Sequence, residues 1–319
     1  MRKGSKTMGK CWKRAMAGVL AGMLTLQMTG ILANAKLIET LTQVDGQFIR
    51  ANGSPVEGAL AKGITISKYQ NRAGAIDWER VKGDGVSFAM VRLGYLGDLD
   101  PYFDENMRNA QAHGINTGIF FYTQAMDTTT AVAEAEFVLD IIKDYPVSYP
   151  VAYDVESQYL LDMGKSRQEI TDQVNAFCQV IAAAGYRPIV YGNNEWLTRN
   201  MDTSQIPYDI WYSRYETSVN EYPNRTLWQY TDSGLVDGIV GEVCIDIAFT
   251  DYSQLIPSAG WRQIGGKWYY YQDHVKQTGW LLLGDAWYYL NQDGSMALGV
   301  TQVIDGVSYT FGNDGVWQP

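Results

Sequence analysis

The stretch Tyr149-Pro150-Val151-Ala152-Tyr153-Asp154-Val155-Glu156-Ser157 decides how the chain is read. Val151, Tyr153 and Val155 are β-formers, and Pro150 stands at the start, where a missing N–H is tolerated. Side chains alternate along a strand, so Ala152, Asp154 and Glu156 are expected on one face. Two carboxylates that close cannot both ionise freely, so one pKa must rise. A proton donor beside an anion is the pair that glycosidic bond cleavage needs. An edge strand with a solvated acidic face has the same spacing, so the flanking sequence must decide between the two.

On both sides of that stretch, strand-like and helix-like segments alternate. Residues 63–67, 88–93 and 116–122 read as strands. Between them lie helical segments over 76–81, with Asp77 as N-cap, and over 106–113, stopped by Gly114. A helix over 129–142 precedes the acidic strand; one over 167–184, stopped by Gly185, follows it. Strands are expected again at 187–191, 210–212, 226–230 and 243–247. This order predicts an α/β fold, an irregular (β/α) TIM-like barrel. Such barrels carry their chemistry at the C-terminal strand ends. Polar residues recur there: Thr65, Arg92, Tyr122, Asp154, Glu156, Tyr191 and Asp246.

The N-terminus has the three parts of a secretory signal. Six Lys/Arg and no acid lie in residues 1–14, an apolar run covers 15–32, and Ala33-Asn34-Ala35 is a small-x-small cleavage site. Cleavage after Ala35 removes those six basic residues and moves the formal net charge from −10 to −16. An acidic chain lacks the basic footprint of a nucleic-acid partner. No later stretch is long and apolar enough to span a membrane. The only histidines, His113 and His274, fall in different segments, so a zinc site is not expected, nor any cofactor. His113 reads as a residue at a helix C-terminus. Cys178 lies in a helical pattern and Cys244 in a strand-like one. A thiol nucleophile would need an adjacent base, which neither is given.

Six stretches in order then carry a resemblance. They are Gly63-Ile64-Thr65-Ile66-Ser67 with Gln70, Ile76-Asp77-Trp78, Ala89-Met90-Val91-Arg92-Leu93-Gly94-Tyr95, Asp154-Val155-Glu156, Trp228-Gln229-Tyr230 and Ile245-Asp246. Over residues 60–255 the chain resembles glycoside hydrolase family 25, the Chalaropsis-type lysozymes or N-acetylmuramidases. The resemblance implies hydrolysis of the β-1,4 bond between N-acetylmuramic acid and N-acetylglucosamine, with peptidoglycan as partner. It implies Glu156 as general acid, Asp154 as companion carboxylate, and Asp246 as a third acid at the end of the last strand. Arg92, Tyr122, Tyr191, Trp211 and Trp228 are the expected substrate-binding residues, the aromatic ones by stacking on sugar rings, with barrel core an equal alternative for each aromatic. One departure stands out: the family's first strand normally carries an Asp where this chain has Thr65. With one like charge fewer, the remaining acids are expected to titrate lower, which weakens a donor; the alternative to the enzyme is therefore a catalytically weakened or inactive wall-binding protein.

The last sixty residues repeat. Gly260-Trp261 recurs as Gly279-Trp280, and Trp268-Tyr269-Tyr270 as Trp287-Tyr288-Tyr289, then more weakly as Ser308-Tyr309-Thr310. Asp293-Gly294 and Asp314-Gly315 mark turns, so a stacked hairpin array is expected. Half of the chain's ten tryptophans lie here, where they either line ligand cages or only pack one hairpin on the next. The segment resembles choline-binding, or cell-wall-binding, repeats. That resemblance implies aromatic cages from Trp261, Trp268, Tyr270, Trp280, Trp287 and Tyr289 for choline, or for another wall component such as teichoic acid; cation–π attraction explains the residue types. The expected organisation is a signal at 1–35, a connector at 36–58, a barrel at 59–256 and wall-binding repeats at 260–319, in a protein exported to the wall or medium.

Overall fold

The computed structural model describes residues 40–95, 97–215, 224–256, 258–264 and 266–319. The expected signal segment lies outside these. The first described elements are β1 (Leu41–Val44) and β2 (Gln47–Arg50), an antiparallel hairpin turned at Asp45-Gly46, both with positive φ. Leu41 and Phe48 are buried in the main core. The segment expected to be a plain connector is thus partly a packed hairpin, and Asp-Gly is the turn signal for it.

Next come β3 (Ala61–Ile66), α1 (Lys68–Ala73), α2 (Trp78–Gly83), β4 (Val86–Tyr95), β5 (Asp98–Leu99) and α3 (Phe103–Ala112). They are followed by β6 (Asn116–Tyr122), α4 (Thr128–Ile142), β7 (Val151–Asp154), α5 (Gln158–Asp162), α6 (Arg167–Ala183) and β8 (Pro188–Asn193). The last part holds β9 (Asp209–Ser213), β10 (Arg225–Gly234), β11 (Val243–Ala248) and α7 (Tyr252–Leu255). Eight strands close on themselves in the order β3-β4-β6-β7-β8-β9-β10-β11. Every pairing is parallel except the two made by β11, which runs antiparallel to β10 and β3. The irregularity expected of the barrel is this reversed strand and the scarcity of helix after β8.

Helix starts follow local chemistry. Asp77 Oδ1 accepts from Arg80 N–H at 3.1 Å, and Asp127 Oδ1 from Thr130 N–H at 2.8 Å. Ser166 and Glu169 form a capping box at the start of α6. His113 ends α3, its Nδ1 2.7 Å from the Asn109 carbonyl. Cys178 is a free, buried thiol on α6.

Alternation along the strands separates two apolar layers. Outward residues such as Ile64, Val91, Tyr153, Val190, Tyr212 and Trp228 pack in the main core beneath the helices. Inward residues such as Phe88, Met90, Phe120, Ile189, Trp211 and Leu227 fill the barrel. Gly63 on β3 is required by this filling: a Cβ there would meet the Phe88 ring at 2.2 Å. After the barrel come three hairpins. They are β12 (Gly260–Ile264) with β13 (Lys267–Gln272) and the short β14 (Val275–Lys276); β15 (Gly279–Leu283) with β16 (Ala286–Leu290); and β17 (Val300–Ile304) with β18 (Val307–Phe311) and β19 (Trp317–Gln318). The first hairpin touches the barrel. The Tyr271 hydroxyl lies 3.5 Å from the Ala184 carbonyl, and the Arg262 guanidinium sits 4.0 Å from the Tyr271 ring.

Candidate active site

Asp154 is the last residue of β7, and Glu156 follows in the loop before α5. The strand expected through Ser157 is shorter, and the two acids do not meet by alternation. A turn brings them together: Glu156 N–H donates to Asp154 Oδ1 at 3.0 Å. Both are buried, at 5% and 3% exposure. Asn193 N–H, at the end of β8, donates to Glu156 Oε1 at 2.5 Å. The Tyr122 hydroxyl reaches the Glu156 carbonyl at 3.4 Å, and its ring stacks on Tyr95 at 5.2 Å.

Burial raises the pKa of both acids. Glu156 is raised further by the charges of Asp154 and Glu195, against one opposing N–H from Asn193. Asp154 has the Glu156 N–H to favour its anion. Glu156 is therefore the group that keeps the proton, and the pair titrates as a unit. Neither Thr65 nor Asp246 contributes to Glu156's shift. In this chain burial and the Asp154 charge are the leading causes that raise Glu156.

Asp246 is not at a strand end. It lies inside β11, opposite Gly63 and Gln229, and is fully buried. The reversal of β11 explains the difference: its C-terminal end points away from the end that holds Glu156. The Thr65 hydroxyl donates to Asp246 Oδ2 at 2.6 Å and Trp211 Nε1–H to Oδ1 at 2.9 Å. Burial pushes this carboxyl up to about 7 against those donors. Gln229 extends the network: its Nε2 donates to Thr65 Oγ1 at 3.3 Å, and its Oε1 accepts from Tyr191 at 2.9 Å and Tyr215 at 2.7 Å. Burial raises both tyrosines first, and Glu156's charge adds to each. A hydrogen-bonded chain thus runs from Asp246 through Thr65 and Gln229 to two hydroxyls beside the acid pair.

The other expected residues divide. Tyr122 and Tyr191 face the barrel interior near the acids. Trp211 does too, but at 1% exposure it is wedged edge-on between Phe120 and Tyr191, and its N–H serves Asp246. Trp228 points the other way, fully buried beneath the outer layer, with Nε1–H donating to the Arg214 carbonyl at 2.8 Å. Neither tryptophan offers a face to a sugar, which corrects the stacking role expected of them. Arg92 is buried and paired with Asp100 through Nε at 2.7 Å; Asp100 also accepts from Lys68 N–H at 3.0 Å. Arg92 therefore braces the loops after β3 and β4. Residues that reading the sequence missed are Asn193, Gln229, Tyr215 and Tyr95. Gln229 lay within the Trp228-Gln229-Tyr230 motif, but which alternate set faces inward is fixed only by register.

In the repeats, Trp261 stands 5.1 Å from Tyr270 across its own hairpin and 5.0 Å from Tyr288 of the next. Trp280 repeats this with Tyr289 at 5.2 Å and Tyr309 at 4.8 Å, and Trp317 closes the group at 6.2 Å. The rings meet near right angles, which makes walls rather than stacks. Trp280 and Trp287 are 37% and 40% exposed. Trp268 stands across from Gln263 and is half-buried. On Tyr269, the counterpart of Tyr288 and Tyr309, the Lys276 ammonium sits 5.1 Å from the ring.

Comparison with known proteins follows this geometry. The cell wall binding repeat model matches residues 259–273 and 278–296. The autolytic lysozyme of Clostridium acetobutylicum is 28% identical over 190 residues, covering 58% of this chain and 55% of that protein. YegX of Escherichia coli K12 is 27% identical over 194 residues, covering 58% and 68%. The structure of the modular autolysin LytC from Streptococcus pneumoniae superposes with a TM-score of 0.57 at 28% identity. That match covers 65% of this chain and 51% of LytC, so this chain spans about half of its structural relative. The model for glycosyl hydrolases family 25 matches residues 64–239, over half of the chain and with the Asp154/Glu156 turn inside it, and this chain belongs to that family.

Proposed function

We propose that this chain is an exported N-acetylmuramidase that cleaves the β-1,4 bond after N-acetylmuramic acid in peptidoglycan, held on the wall by its aromatic hairpins. The observation that carries this reading is the buried Asp154/Glu156 turn at the C-terminal end of β7, with Glu156 the more strongly raised acid. Glu156 protonates the glycosidic oxygen, a contribution of about 10²–10⁴-fold. Asp154 stabilises positive charge at the anomeric carbon, or at an oxazolinium formed by the substrate's own N-acetyl group. Asn193 N–H fixes the orientation of Glu156 through Oε1, leaving Oε2 to deliver the proton. Tyr122 and Tyr191 line the barrel mouth for the sugar.

Relatives named as lysozyme and autolysin support the substrate class, and LytC has been solved with a synthetic peptidoglycan ligand. The Trp261 and Trp280 groups supply two cages suited to a choline headgroup. The basic, apolar and small-residue pattern of residues 1–35 supports export. The test is product analysis on purified peptidoglycan. New reducing ends on N-acetylmuramic acid are expected; reducing ends on N-acetylglucosamine would replace the bond assignment, and none at all would make the chain a wall-binding protein.

A further inference from the structure

The hydrogen bonds that join Asp246 to the cleft have a direction, and the residue types fix it. Trp211 Nε1–H can only donate, and it holds Asp246 Oδ1 at 2.9 Å, so Oδ2 is left to face Thr65 at 2.6 Å. An ionised carboxylate only accepts, so the Thr65 hydroxyl must give its one proton to Oδ2. The Thr65 oxygen then accepts from Gln229 Nε2 at 3.3 Å. That turns the Gln229 amide oxygen towards the cleft, where it accepts from Tyr191 at 2.9 Å and Tyr215 at 2.7 Å. Both phenol protons point inward, and the phenol oxygens are left with lone pairs only. The Ser213 hydroxyl also bonds to these tyrosines, but its single proton serves one oxygen and leaves the other open.

A proton taken up by Asp246 reverses each of these bonds. With Trp211 fixed on Oδ1, the proton sits on Oδ2 and is donated to Thr65. Thr65 then donates to the Gln229 amide oxygen, the amide turns half round, and its N–H groups donate to the tyrosine oxygens. The two phenol protons are freed to point into the cleft. A hydroxyl at position 65 carries either direction because it donates and accepts; valine, of the same shape, carries neither. Burial places the titration of Asp246 at about 7. The groups that face it are Thr65 of β3, Trp211 of β9 and Gln229 of β10, all uncharged. Charges act at the far end of the chain of bonds: Asp154 and Glu156 on Tyr191, Glu156 and Asp232 on Tyr215.

We propose that Thr65 and Gln229 are positioning residues that carry the charge state of Asp246 to the Tyr191 and Tyr215 hydroxyls. With Asp246 ionised, the cleft accepts a hydrogen bond from an acetamido N–H of the glycan; with Asp246 protonated, it offers donors and releases that group. Sugar hydroxyls do not read the direction, because they donate or accept as the partner requires. An acetamido N–H only donates, so it does. The identity of the sugar rests on the muramidase reading; the direction of the bonds rests on the residues themselves.

The test compares two trisaccharides on the full chain by calorimetry, from about pH 5.5 to about 8.5. Chitotriose carries acetamido groups, and cellotriose has hydroxyls in their place. The preference for chitotriose is expected to rise roughly tenfold with pH, the worth of one hydrogen bond, in the unaltered chain and in Thr65→Ser. Thr65→Val should abolish the rise. Asp246→Asn should hold the preference at its low-pH value, because the amide N–H donates to Thr65 at every pH. A preference that is flat in the unaltered chain, or that rises equally in Thr65→Val and Thr65→Ser, overturns the proposal and leaves the muramidase reading to its product analysis. No binding of either trisaccharide overturns the assignment to the glycan. If Thr65→Val does not fold, Asp246→Asn, which keeps the size of the side chain, decides: a full rise that persists in it overturns the proposal.

Discussion

Thr65→Asp, which restores the acid that the family usually carries on its first strand, places a second carboxyl against Asp246. In the present chain Thr65 Oγ1 lies 2.6 Å from Asp246 Oδ2, with 7% and 0% exposure of the two residues. Two ionised carboxylates about 3 Å apart repel by about 5–6 kcal/mol even at an effective dielectric constant of 20. The variant's pair therefore keeps one proton. Asp246 of the wild type already holds a proton below its folded pKa of about 7, so the two proteins part only above that pH, where the wild type releases the proton and the repelling pair does not. There the raised folded pKa of the pair costs the variant about 1.4 kcal/mol per pH unit relative to wild type, with the repulsion as the ceiling. Urea unfolding of the wild type, Thr65→Asp and the uncharged control Thr65→Asn at several pH values from about 6 to 9 reads this directly. Thr65→Asp should fall away from both partners as pH rises above about 7. Its pH–rate profile should keep the same basic limb, because Asp246, the acid against which residue 65 sits, adds nothing to the rise of Glu156. Stability curves for Thr65→Asp and wild type that run parallel across this range would refute the reasoning.

Glu156→Gln should cut turnover by two to four orders of magnitude while wall binding is kept. It should also stabilise the fold increasingly as pH rises from 5 to 8, since it deletes a buried acid whose folded pKa is raised; a variant less stable than wild type at pH 8 would contradict the burial argument. Asp154→Asn removes a charge that raises Glu156, so the basic limb of the residual activity should move down in pH; an unmoved limb would uncouple the pair. Removing residues 278–319 should leave the barrel's melting temperature nearly unchanged and abolish wall retention. Removing 260–319 should lower that temperature as well, because Tyr271, 1% exposed, packs on the end of α6; equal temperatures for the two truncations would show the first hairpin to be independent. Trp287→Ala, which among the described residues' rings touches only Trp280, should weaken retention on immobilised choline by a few-fold to about thirtyfold, with no change on soluble substrate.

Much of this protein is legible without coordinates, because its signals are local. The alternation of strand and helix, the caps at Asp77 and Asp127 and the Gly stops at 114 and 185 depend on neighbouring residues, and so does the repeat of Gly-Trp and Trp-Tyr-Tyr. The acid pair is also local, two residues apart on one strand end. What the tertiary structure alone decided depends on contacts between residues far apart in the chain. Asp246 and Thr65 are 181 residues apart and meet because β11 runs antiparallel to β3. The facing of Trp228 outward and Gln229 inward is a matter of register, since a slip by one residue exchanges the two faces of a strand. The third hairpin, weak in sequence, is recognised by Tyr309 and Trp317 closing on Trp280. Burial is likewise a property of the closed barrel: sequence gives Glu156 a carboxyl, and only the surrounding strands remove its water and raise its pKa.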